Sequence, residues 1–458
     1  MRLPRSLRSF LLQSAVYAVI CFSTEIFCGV RHWGYPYNWP AVPISFIFGD
    51  FRFFVEKLDA FHTPAIFGPP TLMYPAPLVV SYKIFCLFPE SFIHSRSWTL
   101  SFRFALIMLM TSWFMLANVR QALVRRGLSP KTATLFVLGV YVLSYPFWFL
   151  VHQGNMEFIV WCVITSGLWA AWTEKPWWAA AFFGIATSMK IFPFVFVGLL
   201  LGKKQYRQIV FSFAVAAATT VISLWLVCPK IVYSYQQTTA AVAQFRPLYM
   251  LQLRPIESIY DHSLFCLIKR ALPVMPPPPV VARMLTGYLL MVGIIGVTLY
   301  FVRIRKLPLV NQIICLSVAA ILLPPTSFDY TLIHLYVPFF LMVFVALDAS
   351  RLGLGNLPSR GQAIMFALFA IILSPQSEFI THGVGYGAQI KGAALLALWI
   401  TALIVPFPVA HPQLGAGATE EDKDARDFDA ASAENRGDHQ PSHNQTFYTP
   451  SLPSSPQN

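Results

Sequence analysis

The chain has 458 residues, of which 56% are hydrophobic and 12% charged, and its formal net charge is +13. That balance excludes a water-soluble protein of two or three domains, and a mean hydropathy of +0.58 points to the bilayer as solvent. The basic residues fall in short clusters between apolar runs, which excludes nucleic acid as a partner and marks membrane topology instead.

At the N-terminus, Arg2, Arg5 and Arg8 precede an apolar run long enough to span, and no A-x-A cleavage site follows it. An uncleaved first helix is predicted. In chain order, about twelve spans are expected: Leu11–Cys28, Trp98–Ala117, Thr132–Leu150, Met156–Trp172, Pro176–Met189, Ile191–Leu201, Gln208–Cys228, Val281–Val302, Leu309–Leu323, Thr331–Leu347, Gly361–Ser374 and Gly392–Val405. With the N-terminus inside, the clusters Arg120/Arg125/Arg126/Lys131, Lys203/Lys204/Arg207 and Arg303/Arg305/Lys306 face the cytoplasm, as the positive-inside rule requires.

Two segments need that rule to be read at all. Tyr74–Pro89 is apolar but short and carries Pro75, Pro77 and Lys83, so it is assigned to the outer face as a juxtamembrane or re-entrant piece. Pro176–Leu201 is either one long tilted helix or a short hairpin turning at Lys190. The hairpin keeps Lys203 and Lys204 inside. Residues 1–409 then form one polytopic domain with two large outer segments, and 410–458, acidic and poor in apolar residues, form a disordered cytoplasmic tail. Seven scattered cysteines without a CxxC pair provide neither a zinc site nor a dense disulfide framework; Cys228 and Cys266 bound the one outer pairing worth considering.

The polar residues that interrupt apolar runs converge on the outer face. They are Asp50, Tyr74, the Gln153-Gly154-Asn155 turn, Lys190, His262 within Asp261-His262-Ser263, and Asp329 with His334. Each has a bland reading. Asp50 belongs to a polar stretch with Arg52, Glu56 and Asp59, and Asp59 is its rival as a base. Gln153-Gly154-Asn155 has the composition of a tight turn between spans. Lys190 is either a snorkelling lysine or a fixed cation for phosphate, because an ionisable group at membrane depth costs at least ~2.5–3.5 kcal/mol unless paired or hydrated. His262 and His334 lack ligand-spaced partners and read as hydrogen-bonded structural histidines, so no metal is expected. Asp329 precedes an apolar helix and suits a cap.

Taken in order, Asp50-Phe51, Tyr74-Pro75-Ala76-Pro77, Gln153-Gly154-Asn155 and Gly184 to Met189-Lys190-Ile191-Phe192-Pro193 resemble glycosyltransferase family 87, the polyprenyl-phosphate-mannose-dependent mannosyltransferases of the GT-C superfamily. Asp261-His262-Ser263-Leu264 is similar to that family's Asn-Gln-Ser stretch, and Ser327-Phe328-Asp329 to its Ser-Trp-Asp/His stretch. The resemblance runs over roughly Arg8 to Asp348. It departs where the family has a histidine-rich stretch, here Asp329-Tyr330-Thr331 with His334 one turn on.

The resemblance implies an all-α integral membrane protein, a GT-C-type bundle with outer-face loops and juxtamembrane helices. It also implies inverting transfer of a hexose, mannose above all, from a polyprenyl-phosphate donor to a lipid or glycan acceptor, with no cofactor. Asp50 matches the family's base. Tyr74, Gln153, Asn155, Lys190, Arg254, His262, Asp329 and His334 are the expected substrate and phosphate contacts, with Arg246 as a further cation. The expected setting is a bacterial plasma membrane with the site facing the periplasm, since no ER retrieval signal ends the chain. The alternative is a transporter or lipid flippase, which predicts inverted repeats and polar residues at the bilayer midplane. No convincing repeat is present, and the polar groups lie to one side.

Overall fold

The computed structural model describes residues 49–55, 57–68, 73–85, 96–142, 144–252, 260–351, 359–374 and 387–407, with isolated positions between 12 and 23. The expected first span is described only at those isolated positions, and Arg254 and the C-terminal tail lie outside the described residues. The chain is all-helical, and among the described residues there is no strand; one isolated bridge pairs Asp261 with Phe328.

The helices, in chain order, are α1 Gly49–Val55, α2 Ala76–Phe85, α3 Arg96–Arg125, α4 Pro130–Val142, α5 Tyr145–Gln153, α6 Glu157–Trp172, α7 Pro176–Met189, α8 Val197–Gly202, α9 Tyr206–Val227, α10 Ile231–Ala243, α11 Leu264–Arg270, α12 Pro278–Val302, α13 Leu309–Leu322, α14 Tyr336–Arg351, α15 Arg360–Leu373 and α16 Gly387–Ile404. Two 3-10 turns do structural duty between them, Phe192–Phe196 before α8 and Asp329–Leu335 before α14.

Among the described residues, five helical stretches are long and apolar enough to cross a membrane: Arg103–Arg125, Tyr206–Val227, Pro278–Lys306, Asp329–Ala349 and Gly387–Ile404. A sixth is reached if Pro130–Tyr141 and Tyr145–Val151, which meet at 60°, form one bent span. Every other expected segment within the described residues is also helical, but Glu157–Trp172, Leu309–Leu322 and Arg360–Leu373 are shorter than the ~20 residues of a full crossing. Among the described residues, then, five helices are of full length and the others shorter, and the expected count of twelve is not confirmed.

Packing separates these helices into two kinds. Asp329–Ala349 is almost wholly enclosed, whereas Pro278–Lys306, Tyr206–Val227 and Arg103–Arg125 leave most of their apolar surface outside. That is the arrangement expected of a central helix and of helices facing lipid, where apolar exposure carries no penalty. Helices α7 and α9 approach closely at Gly184. A β-carbon at Gly184 would lie 2.4 Å from the Ser212 carbonyl oxygen, so only glycine lets these helices pack at this separation.

The segment 176–202 breaks where the sequence places its turn. Helix α7 ends at Met189, and Lys190 is extended at φ −146° and ψ 152°. Pro193, in the first turn of the following 3-10 segment, is incompatible with continued α-helix. Pro176 at the start of α7 and Leu199, Leu200 and Lys203 at the end of α8 line one cavity. The chain doubles back at Lys190, as the hairpin reading requires.

Cys228 and Cys266 are both buried free thiols, so the outer pairing considered above is not formed.

Candidate active site

The site begins with a clamp of aromatic rings. Phe51 of α1 stacks on Phe104 of α3 at 4.7 Å, and Phe54 stacks on Tyr82 of α2 at 4.8 Å. The Tyr82 hydroxyl donates to the Gly154 carbonyl oxygen at 3.1 Å. Helix α1 is short and would be marginal in isolation, so these rings, all buried, fix where Asp50 sits.

Gly154 closes α5 in the left-handed region at φ 60°, a conformation glycine adopts without a Cβ penalty. Asn155 follows, and its side chain divides its two ends. Oδ1 accepts from the Glu157 backbone N–H at 2.9 Å, capping α6, and Nδ2 donates to Asp50 Oδ2 at 2.6 Å. The expected tight turn is present, and it also holds the candidate base.

Two residues further on, Glu157 opens α6 fully buried. Its Oε2 accepts from the Lys190 ammonium, and its Oε1 accepts from His334 Nε2 at 2.6 Å. His334 comes from the 3-10 turn Asp329–Leu335 and Lys190 from the α7 break, so one carboxylate joins three elements distant in sequence. Lys190 is partly exposed, and its Nζ lies 5.4 Å from the Tyr330 ring centroid. A partly exposed cation with further N–H donors beyond the one used by Glu157 suits an anion.

Asp50 is only partly covered, yet burial pushes its carboxyl above the ordinary carboxylate value of 3.8, against the opposing pull of the Asn155 amide and the Lys190 charge. Tyr74 lies within electrostatic reach of Asp50, Tyr249 and Glu157. Burial first, then the Asp50 charge, hold its hydroxyl well above its ordinary value, which keeps it a neutral donor.

A second polar cluster gathers at the start of the same 3-10 turn, at Asp329. Asp261 Oδ1 accepts from the backbone N–H groups of Ser263 at 2.9 Å and Ser327 at 3.0 Å. His262 N–H donates to the Ser327 carbonyl at 3.0 Å, and its Nδ1 meets Asp329 Oδ1 at 3.2 Å. The other ring nitrogen lies 3.2 Å from Ser327 Oγ. All of these groups are buried. Asp329 therefore does not cap the helix as its position suggested; its carboxylate turns to His262.

The structure thus gathers Asp50, Tyr74, Asn155, Lys190 and His334 around Glu157, and gathers His262 and Asp329 elsewhere. Gln153 is half-buried on the last turn of α5, and Arg246 is exposed at the start of a π-helical turn, Arg246–Met250. Among the described residues no group of three or more His, Cys, Asp or Glu side chains is placed to hold a metal ion. Glu157 was missed by sequence reasoning because it was read as part of the span Met156–Trp172. The available signal was a lone carboxylate opening an apolar helix, a group that needs a partner at that depth.

A helical membrane protein with a carboxylate held beside a lysine–glutamate–histidine cluster is the class that this fold and site define. The family model for glycosyltransferase family 87 matches residues 72–325, just over half of the 458 residues, and the chain belongs to that family and is a glycosyltransferase. The match takes in Tyr74, Asn155, Glu157, Lys190 and His262, whereas Asp50, Asp329 and His334 fall outside it. No curated protein and no solved structure matches the chain.

Proposed function

We infer that the chain is an inverting hexosyltransferase of GT-C type that moves mannose from a polyprenyl-phosphate donor to a lipid or glycan acceptor at the outer face of a bacterial plasma membrane. Residues 1–409 are the catalytic domain and 410–458 a cytoplasmic tail. The observation that carries the reading is the Asn155 amide on Asp50 Oδ2 at 2.6 Å, next to a lysine that is not fully enclosed.

In this reaction Asp50 takes the proton from the acceptor hydroxyl, and the acceptor oxygen forms its bond to the anomeric carbon. The bond from that carbon to the phosphate oxygen breaks, and polyprenyl phosphate leaves with the electron pair. Inversion follows because the single displacement enters opposite the leaving group, and one base suffices. A retaining route would need a second carboxylate as nucleophile at about 5 Å across the sugar. Glu157 is unsuited to that part, since both of its oxygens are engaged by Lys190 and His334. Asn155 aligns the base, Lys190 offsets charge building on the departing phosphate, and Tyr74 donates as a neutral hydroxyl. Gln153 and Arg254 are assigned to substrate binding, and the buried His262 and Asp329 to support of the loops that carry the site.

The apolar groove beside Lys190, lined by Phe192, Phe213, Val292, Val297, Leu316 and Leu323 among others, supports lateral entry of a lipid-borne donor. The test is incubation of membranes containing the chain with labelled polyprenyl-phosphate mannose, followed by extraction of the product. Label carried into an acceptor fraction is expected. Transfer from a nucleotide sugar in the absence of the lipid donor would overturn the reading.

A further inference from the structure

The contact between Lys190 and Glu157 raises a question that phosphate binding alone does not answer. A lysine meant to hold phosphate is already engaged by a carboxylate, and that carboxylate is itself wholly buried. We propose that Glu157 is a positioning residue that holds the Lys190 ammonium in competition with phosphate, so that the cation supports the leaving group without retaining it.

The argument rests on the proposed lipid-phosphate reading and on three features of the cluster. First, Glu157 is held at both its backbone and its side chain. It opens α6, its backbone N–H is held by Asn155 Oδ1 at 2.9 Å, and its Oε1 is fixed by His334 Nε2 at 2.6 Å. Second, Lys190 is the partly exposed member of the pair, at 22% against 0% for Glu157, so an incoming anion reaches the lysine and not the carboxylate. Third, an ammonium has three donors, and Glu157 Oε2 uses one.

The charge change in the reaction gives this arrangement its use. A glycosyl phosphodiester carries one negative charge, and the polyprenyl phosphate that departs carries up to two. Lys190 therefore faces a phosphate whose claim on it grows during bond breaking and stays high in the product. An unopposed ammonium in a site of reduced dielectric would bind that product tightly and slow its exit. A fixed carboxylate on the same ammonium weakens both states and leaves the difference between them, which is the part that accelerates the chemistry. Asn155 and Glu157 lie two residues apart, so one turn of chain sets both the base and the counter-charge of the cation.

The experiment is equilibrium binding of a polyprenyl phosphate to the full chain in detergent, which needs no acceptor. Glu157→Gln keeps the volume and an oxygen for His334 but removes the charge that opposes phosphate. It is expected to tighten binding by about tenfold or more, and in turnover to lower KM for polyprenyl-phosphate mannose while kcat falls. Lys190→Gln is expected to weaken binding, and the double variant to resemble Lys190→Gln, since Glu157 acts through the lysine. Should Glu157→Gln not fold, Glu157→Asp carries the test: its carboxylate is withdrawn by one methylene, and an intermediate tightening is expected. Unchanged or weaker binding in the folded Glu157 variant, with Lys190→Gln still weakening it, overturns the competition. Wild-type chain that binds no polyprenyl phosphate, or binds it equally without Lys190, overturns instead the lipid-phosphate reading on which the proposal rests.

Discussion

The two polar clusters share the 3-10 turn Asp329–Leu335 and differ in what their hydrogen bonds are for. Around His262 the partners are backbone groups and neighbouring side chains, all buried, and the network ties the segment before α11 to the segment before α14. Around Glu157 the partners are the side chains of Lys190 and His334 from separate elements, and two members, Asp50 and Lys190, keep part of their surface uncovered. Apart from Asp329 Oδ2, which is buried without a hydrogen-bond partner, the His262 network satisfies itself and fixes a loop, whereas a network with uncovered charged groups has capacity left for a ligand. In sequence the two clusters look alike, as polar breaks in apolar runs on one face of the membrane.

The largest expected effect separates them at once. Asp50→Asn keeps size and hydrogen bonding but removes basicity, so transfer is expected to fall by ~10²–10⁴-fold with expression retained. Asp59→Asn, in a neighbouring 3-10 turn and exposed, is expected to be mild. Transfer rates of the two purified variants decide between the two carboxylates. A smaller loss, of order 10²–10³-fold, is expected for Lys190→Ala, with Lys190→Arg retaining part of the rate because charge survives while geometry changes. Equal and mild effects of both would move Lys190 to a snorkelling role.

On the other side of the comparison, His262→Ala is expected to cost stability first. It takes from the buried Asp329 carboxylate its hydrogen bond to the His262 ring, while Ser327 Oγ keeps Thr331 Oγ1 at 2.9 Å, a change of about 1–3 kcal/mol. Thermal unfolding in detergent should show the loss, while turnover per folded molecule stays near wild type. A large fall in turnover at unchanged stability would place His262 in the chemistry and erase the distinction between the clusters.

Hydropathy made the membrane class legible, and each expected segment within the described residues proved helical. The number of full spans was not legible, because α6, α13 and α15 are apolar yet too short to cross alone. What lets such helices exist is the bundle around them, which no local window records. The break at Lys190 was readable because a lysine, a proline and the positive-inside rule agreed on it. Asp50, Asn155, Lys190 and His334 were readable as polar groups in apolar surroundings. The pairing of His262 with Asp329, 67 residues apart, was not, and Asp329 was read as a cap. Glu157 escaped because the apolar run after it concealed a carboxylate that needed a partner.

Burial raises the carboxyls of both Asp50 and Asp261 above their ordinary value of 3.8, so each cluster contains an acid able to shape a pH profile. A base must be deprotonated to act, so activity is lost as pH falls through the raised value of whichever group carries the reaction. The deciding measurement is kcat/KM against pH for wild type, Asp50→Asn and Asp261→Asn. An acid limb displaced upward from 3.8, preserved in folded Asp261→Asn and absent from the residual activity of Asp50→Asn, is the predicted result. The same limb surviving in Asp50→Asn and vanishing in Asp261→Asn would contradict the assignment of the chemistry to the Asp50 side.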